Sequence, residues 1–251
     1  MRNETLAPAF CLTFRTSPLR IPHFAMSIHR PLDEELKVLR ELVLEMSYLV
    51  DEQLAEAMNA LTKGDVELAQ RVRHRDDEID ALEMKLDRQC ERILALHHPV
   101  ASDLRLIILA VKVNTDLERI GDHSKNLAKN VAHVKDMPDV LKATRLPEMA
   151  DAARAMLREA QDAFSTEDRV RAREILARDR QVDRLHKENF AALVKYGQEH
   201  PECMTPVAHL ITASKGLERI SDHVKNIAES IIFLIEGLDI RHKRLARQNE
   251  D

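Results

Sequence analysis

The sequence predicts an all-α protein made of two tandem antiparallel three-helix bundles. Three observations lead there. The chain is 44% hydrophobic but only 3% aromatic, with no Trp and five Gly in 251 residues. Leu, Ala, Ile, Val, Glu, Arg and Lys, residues that suit helices, supply the bulk. Apolar positions recur at threes and fours through six long blocks. And a polar octapeptide, DLERIGDH at 116–123, returns as GLERISDH at 216–223, 100 residues later.

The first helix begins near Leu36, where Leu36, Leu39, Val43, Met46, Val50, Leu54, Ala57 and Leu61 form one stripe, and Gly64 ends it. The second starts near Asp65 and carries Ile79, Leu82, Leu86, Cys90 and Ile93. It stops at His97-His98-Pro99, because proline cannot continue the backbone ladder. The third runs from Ser102, read as its cap, to Val134, ahead of the turn-prone KDMPD at 135–139. The scheme then repeats. A fourth helix over 147–164 has the stripe Met149, Ala153, Met156, Ala160 and Phe164, and a fifth spans 167–198. His200-Pro201 echoes His98-Pro99, Pro206 suits the first turn of the sixth helix, and Gly237 follows its end at Glu236. Helices of roughly 30 residues are about 45 Å long, so each triplet makes an elongated bundle with short connections. The competing reading, one long coiled coil, conflicts with prolines and breaks that punctuate every helix. The domain scheme is thus an extension at 1–27, bundles at 28–137 and 138–240, and a charged tail at 241–251. With three prolines and no helical period, residues 1–25 are expected to be disordered and not a signal peptide, with Met26 as an alternative start.

Composition excludes several functions. A net charge of −5, with 32% charged residues of both signs interspersed, gives no basic excess for nucleic acid. Cys11, Cys90 and Cys203 are widely spaced and form no CxxC, which argues for a reducing cytoplasm over a disulfide framework or thiolate metal site. The longest aliphatic run, LIILAV at 106–111, is far short of the roughly 20 residues of a membrane span. No nucleophile with an adjacent base, phosphate-cradling glycine loop or basic anion pocket is evident.

The chemistry-bearing residues are repeated acids. The third and sixth helices align without a gap, so Glu118 and Asp122 match Glu218 and Asp222, each pair spaced i, i+4 on one helix face. The second and fifth helices add Asp76 with Asp80 and Asp179 with Asp183. One acid of each pair follows an apolar residue (Ile79, Val182, Leu117, Leu217), which sets the pair beside the buried seam. With 43 acids in 251 residues, roughly seven such pairs arise by chance, and a solvated acidic face is the plain alternative. Like charges at this spacing cost a helix about 0.2–0.5 kcal/mol, which a bound cation reverses. Four carboxylates from two helices form a hard oxygen set suited to iron, manganese, magnesium or calcium, with zinc also possible. His123 and His223 follow the acids but make no E-x-x-H with them, so they read as supporting groups, not ligands. Asn114, Asn126 and Asn130, and in the second copy Ser214, Asn226 and Ser230, continue the row as hydrogen-bonding groups.

DLERIGDHSKN with GLERISDHVKN, the opening IHRPLDEELKVLRELVLEM at 28–46, and HHPVASDLRLI at 97–107 together resemble the PhoU family, over residues 26–236. The resemblance implies two tandem three-helix bundles. It also implies a cytoplasmic accessory protein of the high-affinity phosphate-specific transport system, a negative regulator of phosphate uptake and of the phosphate regulon. Its partners would be the transporter's ATPase subunit and the sensor histidine kinase, so it meets the membrane only through them, and it would form a homodimer. The family's E(D)-x-x-x-D motifs, associated with iron or zinc clusters, fall on Asp76, Asp80, Glu118, Asp122, Asp179, Asp183, Glu218 and Asp222. Two rivals stand beside this: a carboxylate-metal helical enzyme, and a PhoU-like regulator of another ion or phosphate carrier.

Overall fold

The computed structural model describes residues 30–240. The expectations for residues 1–27 and 241–251, Met26 and Cys11 included, lie outside them. Helix α1 spans Pro31–Lys63, α2 Val66–Leu96 and α3 Ser102–Lys129, followed by the short α4 (Val131–Val134) and α5 (Pro138–Lys142). Then come α6 (Leu146–Thr166), α7 (Arg169–Glu199), a 3-10 turn at Pro201–Cys203 and α8 (Met204–Glu236). Every described element is helical.

The stripes read from the sequence are the core. All eight α1 positions from Leu36 to Leu61 are buried, as is the α6 stripe from Met149 to Phe164. Burying a Leu or Met side chain contributes about 1.5–3 kcal/mol, so such a stripe holds a helix that propensity alone does not. The α1 to α2 turn is set by Gly64 at φ +67, a left-handed conformation that glycine adopts without strain. The Asp65 carboxylate then caps α2, accepting from Leu68 N at 2.9 Å. Asp168 caps α7 in the same way.

Three boundaries differ from the sequence reading. Ser102 is the first helical residue and no cap. Ala101 stands before it at φ +48, and its methyl side chain can accept nothing. The third helix breaks at Asn130, whose Nδ2 donates to Asn126 O at 3.0 Å and competes with the helix's own bonding. Residues 138–142, read as part of a turn, make a helical turn because Pro138 occupies its first position, where the missing N–H costs nothing.

Helix α1 packs on α2 and α3, and α6 and α7 pack on α8; the triplets then join through α3 against α8 and α1 against α6. One continuous apolar core runs through both. A polar clamp ties them at α1 and α6. There the Asp51 carboxylate accepts from Arg154 Nε (2.9 Å) and Nη2 (3.2 Å) and from Arg158 Nε (3.0 Å). Helices α3 and α8 run in opposite directions, since Asp116 meets His223 while Asn130, further along α3, meets His209, earlier on α8. The repeat therefore maps onto an approximate two-fold axis, with His123 and His223 near it, their ring centroids 5.8 Å apart.

Candidate functional site

The eight predicted acids gather into two quartets, one on α2 and α3 and one on α7 and α8. In the first, Asp76 is 3% exposed while Asp80 stands at the surface. The Asp80 carboxyl is pushed above its ordinary range by partial desolvation, then by Asp76, with Asp122 adding to it. Glu118 is raised by burial and then by Asp122, with Glu83 contributing. In the second quartet, Asp222 is raised by burial, then by Glu218 and Asp179, with Asp183 also acting. Each quartet thus behaves as one field of like charge.

A lysine occupies each field. Lys125 Nζ donates to Asp76, whose other oxygen accepts from Gln53 Nε2 at 3.3 Å. Lys225 Nζ donates to Asp179 at 2.8 Å. Both ammonium groups are held above their ordinary value, chiefly by these hydrogen bonds. They sit at one repeat position, the final Lys of GDHSK and SDHVK, and that repetition is the signal from which they were findable. Elsewhere the quartets differ. Arg119 lies 3.3 Å from Glu118 and 3.8 Å from Asp122, whereas its counterpart Arg219 makes no hydrogen bond or ion pair with a described residue. Asn114 donates to Asp87 at 2.9 Å and to Glu83 O at 3.1 Å, enlarging the first acidic cluster, while its counterpart Ser214 pairs with His186 Nδ1 at 2.9 Å.

The donor set fits a hard cation in chemistry. It is all oxygen, mutually repelling, and in the second quartet Asp179 Oδ1 is buried without a hydrogen-bond donor. Glu218 Oε2 has only the Lys215 ammonium beside it, as an ion pair at 2.5 Å. Among the described residues, no three His, Cys, Asp or Glu side chains converge as a ready ligand group. A metal would therefore draw the acids inward and displace a lysine.

The histidines divide. His223 Nδ1 lies 2.9 Å from Asp116 Oδ1, which also accepts from Asn226 Nδ2 at 3.2 Å. His123 makes no such bond. It lines a cleft of about 540 Å³ between α3 and α8 together with Asn126, Lys129, Lys215, Gly216 and Arg219. These residues come from two helices some 90 positions apart, brought together only by the antiparallel crossing.

This fold and these sites define a class: an all-helical internal repeat whose shared geometry, among the described residues, is polar and acidic. A PhoU domain model matches twice, at residues 43–131 and 146–231. The chain belongs to the PhoU family. The phosphate-specific transport system accessory protein PhoU homolog of Pseudomonas aeruginosa is 39% identical over 225 residues, 89% of this chain and 93% of that protein. The homolog of the same name from Aquifex aeolicus is 34% identical over 87% of this chain and 99% of that one. Among solved structures, PhoU from Pseudomonas aeruginosa superposes with a TM-score of 0.77 at 38% identity, over 82% of this chain and all of that one. The phosphate transport system regulatory protein PhoU from Streptococcus pneumoniae gives 0.76 at 28% identity, over 83% and 99%.

Proposed function

We propose that this protein is a cytoplasmic accessory protein of a phosphate-specific transport system, acting by binding and not by catalysis. The observation that carries the reading is the relationship across nearly the whole chain to proteins of that name, in both halves of the repeat. The membrane is reached through partners, since no described helix is long and apolar enough to cross it. In this reading the partners are the transporter's ATPase subunit and the sensor histidine kinase, and the outcome is repression of phosphate uptake and of the phosphate regulon. A row of solvent-facing apolar side chains on α3, Leu104, Ile108 and Val111, supports a protein-docking role. Pairing of two copies into a homodimer belongs to the same proposal.

The metal part of the proposal rests on the two quartets. Asp76, Asp80, Glu118 and Asp122 hold one cation site; Asp179, Asp183, Glu218 and Asp222 hold the other, for iron, zinc, manganese or magnesium. When bound, the metal supplies positive charge that turns the repulsion within each quartet into attraction and stiffens the crossing of its two helices. The acids' task is to converge and to release Lys125 or Lys225.

The test is alkaline-phosphatase reporter activity in a deletion strain grown in abundant phosphate. High activity that the restored gene lowers is expected. Activity that stays repressed without the gene refutes regulation of the phosphate regulon and favours a different carrier.

A further inference from the structure

The approximate two-fold axis makes each half a template for the other, and at one place the template is broken. On one side of the axis the Asp116 carboxylate accepts from His223 Nδ1 at 2.9 Å and from Asn226 Nδ2 at 3.2 Å. The equivalent residues on the other side are Gly216, His123 and Asn126, and all three line the cleft between α3 and α8. The donors are retained and the carboxylate is gone. Neither the His123 ring nitrogens nor Asn126 Nδ2 hydrogen-bond to a described residue. A β-carbon placed on Gly216 meets nothing within 4 Å, so no packing demand explains a glycine in mid-helix, where it costs about 1 kcal/mol against Ala.

Charge changes in the same direction at two neighbouring positions. Lys129 stands where the other half has Glu229, and Lys215 where it has Thr115. Thr212, where the other half has Lys112, goes the other way, so relative to its mirror positions the cleft is three charge units more positive: one from Gly216 for Asp116, two from Lys129 for Glu229 and one from Lys215 for Thr115, less one from Thr212 for Lys112. Lys129 and Lys215 lean on neighbours of their own helices, Asn126 Oδ1 at 2.8 Å and Glu218 at 2.5 Å. The Arg219 guanidinium has no partner among the described residues, and no acid lines the cleft.

We propose that this cleft is a binding site for a small, multiply charged oxyanion of the phosphate type, whose oxygens take the place that the Asp116 carboxylate fills on the other side. His123 and Asn126 supply the directional donors. Arg219, planar and forked, suits two oxygens at once, and the two lysines supply the field that favours a dianion over a single carboxylate. None of the eight acids lines the cleft, and the one link to the quartets is the Lys215 ion pair with Glu218.

Calorimetric titration of the full chain in low-salt buffer with inorganic phosphate, and separately with acetate, tests it. Saturable phosphate binding is expected, with acetate much weaker. Gly216→Asp supplies the missing carboxylate internally and should reduce phosphate affinity at least about tenfold, equivalent to about 1.4 kcal/mol, without loss of helicity. Arg219→Gln, a second variant away from any packing, should weaken it several-fold. The proposal is overturned by absence of saturable binding at millimolar phosphate, by acetate binding as tightly, or by unchanged affinity in a folded Gly216→Asp variant.

Discussion

Replacing Lys125 by Met separates the two cations that the first quartet can use, the built-in ammonium and an added metal. Asp76 is 3% exposed, and its only other described donor is Gln53 Nε2 at 3.3 Å, a long hydrogen bond. Removing one partner of a fully buried ion pair costs about 3–5 kcal/mol, because the remaining charge is left desolvated and alone. The Lys125 side chain is 31% exposed, so water replaces part of its stabilisation, and the expected loss is about 2–3 kcal/mol. For a chain of this size that corresponds to a fall in Tm of roughly 5–10 °C, readable by calorimetry in chelator-treated buffer. Manganese should then stabilise Lys125→Met more than the parent, since the metal no longer competes with an ammonium for Asp76. A variant as stable as the parent would show that the pair carries no energy. Equal manganese responses would show that the lysine and the metal do not share the site.

Three further outcomes follow from the same geometry. Glu118→Gln with Asp122→Asn relieves an i, i+4 repulsion worth about 0.2–0.5 kcal/mol. The metal-free double variant should melt no lower than the parent, and should lose its response to iron or manganese in thermal shift and metal analysis. His209 is pushed below the ordinary value of 6.5 by burial and by the His133 ring stacked on it at 3.8 Å, so the folded state prefers it neutral. The stability this gives is present above pH 6.5 and is lost as pH falls below that value; His209→Gln should flatten that part of a Tm against pH profile. Burial, with Asp87 and Glu91, lifts the Cys90 thiol to about 12, and a thiol-labelling time course at pH 8 should find it inert until the chain unfolds.

Much of the fold was legible because long helices write their buried face as a period of threes and fours. The α1 stripe from Leu36 to Leu61 is an example, and every member is buried. The breaks were legible where proline or glycine enforced them, at Pro99, Gly64 and Gly237. Ala101 was not, because nothing in its chemistry announces a positive φ, and Asn130 was not, because a side chain bonding its own backbone looks like any other polar residue. In the candidate site, the grouping of acids followed from spacing and repetition. The direction in which Lys125 and Lys225 reach did not, since a lysine at i+3 from an acid points to solvent as readily as to a neighbouring helix. The cleft lay beyond sequence reading altogether. The difference between Asp116 and Gly216 is visible in the alignment, but it gains meaning only once α3 and α8 cross antiparallel and set His223 against one and His123 beside the other.

The approximate axis through His123 and His223 also bears on ancestry. Two identical copies of a single triplet, paired across that axis, must repeat every substitution on both sides: an aspartate that anchors one histidine anchors the other, and a lysine introduced on one flank appears on both. A gene that joins the copies end to end is released from that obligation. Asp116 opposite Gly216, Glu229 opposite Lys129 and Thr115 opposite Lys215 are differences that only a fused chain can hold. Joining two copies of the domain in one chain lets the interface anchor His223 on Asp116 and leave His123 without a matching carboxylate.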